Sequence, residues 1–119
     1  MAQTKTYEGG CHCGHVRFQA KADLDQVMSC NCSICTKHGF LWTFIPPALF
    51  ELQSGGDDLA EYQFNKHVIH HLFCPRCGVE SFARGKRPDG ADAIALNVRS
   101  LAGIDIAALK PHPFDGRSR

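Results

Sequence analysis

The sequence predicts a mainly β protein that forms a single small domain of short antiparallel strands. Three observations support this fold class. Apolar and polar residues alternate with a period of two in several short segments, turn residues rich in Gly, Pro and Asp separate these segments, and a hydrophobic content of 44% in 119 residues suffices for one core. We find neither a repeat nor a linker, so we predict one domain over residues 1–119.

Six segments have the alternation, or the β-branched and aromatic content, that is typical of strands. They are HVRFQAKA, FLWTFI, LAEYQF, KHVIHHLF, VESFARG and DAIALNVRSL. Turns are predicted at QSGGDD, at Pro46-Pro47 and at Pro88, Asp89 and Gly90. The segment IDIAAL fits a short helix or a strand. The polar tail KPHPFDGRSR, from about residue 110 to 119, is expected to lie on the surface or to fray.

The charge and the N-terminal sequence limit the function classes. A formal net charge of +1 lacks the basic excess that binding to nucleic acid phosphates requires. The first ten residues, MAQTKTYEGG, contain no apolar run, so they predict neither a signal peptide nor a membrane anchor. We therefore expect a cytoplasmic protein, in a reducing compartment where disulfides are rare.

Seven cysteines fall into three tight clusters, GGCHCG, CNCSIC and CPRCG. Buried structural thiols would be scattered, and an odd number cannot form a complete set of disulfides. The clusters therefore indicate metal ligation, for which zinc is favoured over iron. CPRCG is the most specific signal, because Pro75 and Gly78 suit the tight turn of a zinc knuckle.

The seven thiolates divide most simply into four and three. The first set would form a closed, structural zinc site, and it consists of Cys11, Cys13, Cys74 and Cys77. The second set, Cys30, Cys32 and Cys35, would hold a second zinc with one open position. The spacing alone does not exclude the alternative that the CPRCG cysteines complete the CNCSIC site. We expect Cys11 and Cys13 to share a strand face, and likewise Cys30 and Cys32, with a turn that brings Cys35 to the second group.

A histidine is the main rival for the fourth position of the second site. The candidates are His38, His67, His70 and His71, whereas His12 should point away from the first site. Three thiolates outweigh the charge of a zinc ion, so such an ion is a poor activator of water. It is better suited to hold an incoming thiol as a thiolate that stays nucleophilic near neutral pH.

The three clusters, together with NVRSL, resemble the glutathione-dependent formaldehyde-activating enzyme (GFA) family, which also contains the domain of centromere protein V. The likeness runs from about Gly9 to about Leu101. It implies a β-tent architecture with two zinc ions, in which the four-cysteine set is structural and the three-cysteine set is catalytic. It also implies a carbon–sulfur lyase that equilibrates S-(hydroxymethyl)glutathione with glutathione and formaldehyde.

The leading functional hypothesis is therefore a zinc-dependent lyase that acts on a small thiol, such as glutathione, together with formaldehyde or a similar aldehyde. Lys37 is a candidate cation near the second site, and His38 is a candidate proton carrier. Trp42 and Phe44 are candidates for an apolar wall. The alternatives are a non-catalytic module in which two zinc ions only stabilise an interaction surface, and a redox-sensing or metal-buffering thiol cluster.

Overall fold

The fold is mainly β, as predicted, in a computed structural model that describes residues 4–63, 69–87 and 89–115. Within these residues the strands are β1 Lys5–Gly10, β2 Arg17–Ala22, β3 Met28–Cys30, β4 Trp42–Ile45, β5 Phe50–Ser54, β6 Ala60–Tyr62, β7 His70–Phe73, β8 Phe82–Lys86, β9 Asp92–Asn97 and β10 His112–Phe114. One α-helix, α1, spans Ser33–His38, and short 3-10 helices span Leu24–Gln26, Pro47–Leu49, Val98–Ser100 and Ile106–Ala108.

Each of the six predicted strand segments contains an observed strand, namely β2, β4, β6, β7, β8 and β9. The ambiguous segment IDIAAL contains the last 3-10 helix. His67 and Pro88, which the sequence analysis placed in a strand and in a turn, lie outside the described residues.

The strands form two sheets, one of three strands in the order β1-β2-β5 and one of seven in the order β10-β3-β4-β9-β8-β7-β6. The pairings are antiparallel except that β10 runs parallel to β3. In the described part of the C-terminal tail, residues 112–114 are therefore paired into the large sheet: Phe114 lies opposite Cys30, and its carbonyl accepts a hydrogen bond from the Asn31 N–H.

The main core lies between the two sheets. The rings of Phe18, Phe50 and Phe82 contact one another there, with centroid distances of 5.3 and 4.6 Å along the series. Ile94 and Leu96 of the large sheet are fully buried in the same cluster. This core uses only one face of the large sheet.

The opposite face of the large sheet carries a second, smaller cluster. Because strand neighbours in register point to the same side, Phe44, Ala95, Ala83 and His71 form one row across β4, β9, β8 and β7. The two alanines lie between larger side chains and so leave a trough in this row. Helix α1 borders the trough, because its residue Cys35 packs against Trp42 in the same apolar cluster.

Gly10 closes β1 at a position that has no room for a side chain. A Cβ atom there would lie 2.2 Å from the carbonyl oxygen of Val16. We expect Gly10→Ala to lower the free energy of unfolding by about 2–3 kcal/mol, as measured by urea denaturation at fixed zinc concentration. Gly85→Ala is the control, because its Cβ would meet nothing nearer than Ile69 at 3.6 Å and should change stability by less than about 0.5 kcal/mol. Equal effects of the two substitutions would contradict this account.

Candidate metal centres

The four-cysteine set comes together at two turns that are remote in sequence. The sulfur atoms of Cys11, Cys13, Cys74 and Cys77 all lie within 4.8 Å of one another. The prediction that Cys11 and Cys13 share a strand face is wrong, because β1 ends at Gly10 and both residues lie in the turn that follows. The turn is closed by the Cys11 N–H, which donates to the Val16 carbonyl.

The CPRCG turn has the predicted knuckle conformation. Gly78 has φ +80°, and its N–H donates to the Cys74 carbonyl at 2.9 Å. Backbone N–H groups also point at sulfur. The Arg76 N–H donates to Cys74 Sγ at 3.4 Å, and hydrogen bonds to Cys77, led by those from the Val79 and Cys13 backbone, lower the pKa of its thiol to about 6. Such donors stabilise thiolates, so the four-sulfur group fits a closed tetrahedral zinc site.

The three-cysteine set is built around the start of α1. Cys30 ends β3, Cys32 is the residue before the first helical residue, and Cys35 lies on the helix. The predicted strand followed by a turn is therefore wrong here, since Cys32 lies outside β3 and Cys35 lies on a helix. The three sulfur atoms lie within 4.8 Å of one another.

Hydrogen bonds to sulfur also mark the three-sulfur group. The Cys32 N–H donates to Cys30 Sγ at 3.4 Å, and Trp42 Nε1–H donates to Cys35 Sγ at 3.2 Å. Burial raises the pKa of the Cys35 thiol well above its ordinary value, so a nearby cation is needed to hold it as a thiolate. The donor set fits a metal ion such as zinc.

The division of the sulfur atoms is four and three, in the groups that the spacing favoured. Cys74 and Cys77 lie with the N-terminal pair and not with the CNCSIC cysteines. Among residues 4–63, 69–87 and 89–115, no histidine nitrogen or carboxylate oxygen joins the three sulfur atoms within the same distance. His12 is exposed.

A cavity of about 180 Å³ opens beside the three-sulfur group. Trp42 and Phe44 line it, as the sequence suggested, and Ala83 and Ala95 form part of its wall. Phe114 of β10 also lines it, so the paired tail contributes to the site.

A buried histidine–carboxylate pair adjoins the cavity, and the sequence analysis missed it. His71 lines the cavity, and its Nδ1 lies 2.7 Å from Glu80 Oε2. Both side chains are buried, and the His71 ring stacks on Phe40 at a centroid distance of 6.3 Å. From its sequence context His71 was a candidate only as a metal ligand; the signal available for the pair was a glutamate within the apolar segment VESF.

Lys37 and His38 lie elsewhere. Both are exposed in the last turn of α1 and border a second depression, which Glu61 and Tyr62 also line. The His38 ring stacks on Phe40 at 4.6 Å. Neither residue is among those that line the cavity beside the three sulfur atoms.

Comparison with known proteins identifies the family. The family model described as glutathione-dependent formaldehyde-activating enzyme matches residues 6–112. The chain belongs to this family. The GFA chain is also similar to a crystal structure of a Rhodobacter sphaeroides protein, with a TM-score of 0.78 and 26% sequence identity over 89% of this chain and 97% of the other. In the part of the GFA chain that the structure describes, no helix is both long and apolar enough to cross a bilayer.

The hydrogen bond from Trp42 to Cys35 gives a testable contribution to metal affinity in this GFA chain. Trp42→Phe keeps an aromatic ring but removes the N–H donor, so we expect affinity at the three-sulfur group to fall about tenfold. Competition with a chromophoric chelator measures this change. Phe40→Leu is the control, because it disturbs the same apolar cluster but leaves the donor in place. A loss of affinity in Phe40→Leu as large as in Trp42→Phe would assign the effect to packing.

Proposed function

We propose that the protein is a zinc-dependent carbon–sulfur lyase that equilibrates a small thiol and formaldehyde, or a similar aldehyde, with the S-hydroxymethyl adduct. The observation that carries this proposal is a group of three cysteine sulfurs beside an apolar cavity, with no fourth protein donor among the described residues. Membership of the GFA family supports the same reaction class.

Cys30, Cys32 and Cys35 would hold the catalytic zinc, and the four-sulfur group would hold a structural one. When bound, the catalytic ion would supply a coordination position at which a substrate thiol loses its proton near neutral pH. The three cysteines come from β3 and from the first turn of α1, and their backbone and Trp42 hydrogen bonds fix their orientation before substrate arrives.

The remaining chemistry needs a group that moves one proton. In the synthetic direction a sulfur–carbon bond forms at the aldehyde carbon, the carbon–oxygen π bond breaks, and the proton released by the thiol is delivered to the oxygen. His71 lines the cavity and is oriented by Glu80 at Nδ1, so Nε2 is the atom through which it would carry this proton. The apolar wall around it excludes water from the reacting atoms.

Exchange spectroscopy by NMR tests the proposal. With ¹³C-formaldehyde and a thiol at equilibrium, the zinc-loaded protein should accelerate exchange between free and S-hydroxymethyl carbon, whereas protein stripped by a chelator should not. Cobalt substitution gives an independent readout, because a thiol that enters the coordination sphere alters the sulfur-to-cobalt charge-transfer band. A band that no thiol perturbs, together with an exchange rate equal to the uncatalysed one, would contradict the lyase.

Substitution of two adjacent histidines, His71 and His70, tests which residue carries the proton. His71→Gln should lower the exchange rate about 100-fold, because the cavity loses its proton carrier, while thiol binding to the cobalt form is retained. His70→Gln should leave the rate unchanged, since His70 pairs with Glu61 at 2.8 Å and is absent from the residues lining the cavity. Equal rates in the two variants would exclude His71 as the carrier.

A further inference from the structure

The cavity beside the three-sulfur group is walled almost entirely by hydrocarbon. Besides the trough of Ala83 and Ala95, its lining includes Met28, Ile34 and Trp42. Among the described residues that line it there is no carboxylate. His71 also lines the cavity, but its Nδ1 already pairs with Glu80 Oε2 at 2.7 Å.

Two cationic residues, Arg84 and Lys86, are among those that line the cavity, but their charged groups point away from it. On β8, Ala83 and Gly85 face the cavity, so the alternation of the strand sends Arg84 and Lys86 to the other side of the sheet. The contacts agree with this direction. The Arg84 guanidinium carbon lies 5.5 Å from the ring centroid of Phe82, a fully buried residue of the main core, and Lys86 Nζ pairs with Asp92 at 2.6 Å.

The mouth of the cavity is apolar as well. Phe44 and Ile69 both line it and are 47% and 49% exposed, which is high for large apolar side chains. The cavity volume of about 180 Å³ lies below the roughly 300–1,000 Å³ of pockets that take drug-sized ligands. The cavity therefore suits a small substituent.

From this arrangement we propose that the thiol handled at the three-sulfur group carries a small, uncharged, apolar substituent. This inference rests on the proposed function and narrows its substrate. Three thiolates would outweigh the charge of the zinc ion, and no side-chain cation points into the cavity, so a carboxylate placed there would lose its hydration without compensation. An apolar group gains free energy from the same wall.

An isosteric pair of thiols tests the proposal on the cobalt-loaded protein. 3-Methylbutane-1-thiol and 3-mercaptopropionate have nearly the same shape, but only the second carries a carboxylate. Titration of the charge-transfer band should give a Kd for the apolar thiol at least about tenfold lower than for 3-mercaptopropionate or glutathione. If either anionic thiol binds as tightly as the apolar one, the inference is wrong and the lyase proposal stands. If no thiol alters the band, both are wrong.

Substitution of two aromatic residues of similar exposure tests which surface binds the thiol. Phe44→Ala should weaken binding of 3-methylbutane-1-thiol several-fold and leave ethanethiol nearly unchanged, because only the longer thiol reaches the mouth. Tyr62→Ala is the control, since Tyr62 is 52% exposed but borders the second depression. Ala95→Leu, which fills the trough, should abolish the preference for the apolar thiol. Retention of that preference in both Phe44→Ala and Ala95→Leu would overturn the assignment of the cavity.

Discussion

Replacing Cys74 with alanine is expected to unfold most of the protein at room temperature. Cys74 is fully buried, and its sulfur lies 3.7 Å from that of Cys13, a residue 61 positions earlier in the chain. The four-sulfur group therefore ties the turn after β1 to the turn after β7, and so links the two sheets. Structural zinc contributes about 10–16 kcal/mol in small domains, which is comparable to the whole stability of a typical protein.

Circular dichroism and thermal melting measure this effect. The Cys74→Ala variant should lose the cooperative melting transition, and prolonged chelation of the unmodified protein should produce the same state. Cys32→Ala is the matched control, because it makes the same chemical change in the other sulfur group and should keep a cooperative transition. A Cys74→Ala protein that melts within a few degrees of the unmodified one would show that the four-sulfur group is dispensable for the fold.

The sequence predicted the strands well where their pattern is local. In β2 the buried Phe18, Ala20 and Ala22 alternate with exposed or half-buried neighbours, which is the period that one buried face imposes. The parallel pair β3 and β10 could not be predicted in the same way. It joins residues more than 80 positions apart, and neither three-residue strand has a period of its own.

Helix α1 was missed because it is only six residues long and lies in a segment that was interpreted through its cysteine spacing alone. One signal was present: Gly39 has φ +71° and its N–H donates to the Cys35 carbonyl, as a glycine just beyond a helix often does. A single glycine is a weak signal in a sequence that contains eleven of them.

The metal-binding cysteines of the site could be predicted, because members of each cluster are only two or three residues apart in the sequence. The spacing within each cysteine cluster favoured a division into four and three, but it left open which site the CPRCG cysteines complete. The partnership of His71 with Glu80 depends instead on how β7 leads through the CPRCG turn to the segment before β8. Lys37 and His38 were chosen for their nearness in sequence, but the helix carries them away from the cavity.

Replacing Cys32 with alanine should abolish turnover and spare the fold. Cys32 precedes α1 without making a side-chain capping hydrogen bond, so alanine removes a sulfur donor without removing a helix cap. The group would retain two sulfurs, too few to hold an ion against competition from solvent. We expect the zinc content to fall from two ions per chain to one. The exchange rate should drop about 10³-fold, which corresponds to about 4 kcal/mol of transition-state stabilisation.

The same variant separates the lyase from a purely structural role of both ions. Metal analysis, thermal melting and NMR exchange on one sample distinguish loss of the catalytic ion from loss of the fold. Ser33→Ala is the control, since Ser33 is the exposed neighbour in α1 and supplies no sulfur. If Cys32→Ala loses one zinc ion yet exchanges S-hydroxymethyl adducts at the original rate, the three-sulfur group is not the reaction centre. If neither the unmodified protein nor Cys32→Ala exceeds the uncatalysed exchange rate, the interaction-module hypothesis becomes the better account, because both sulfur groups would then act only on the fold.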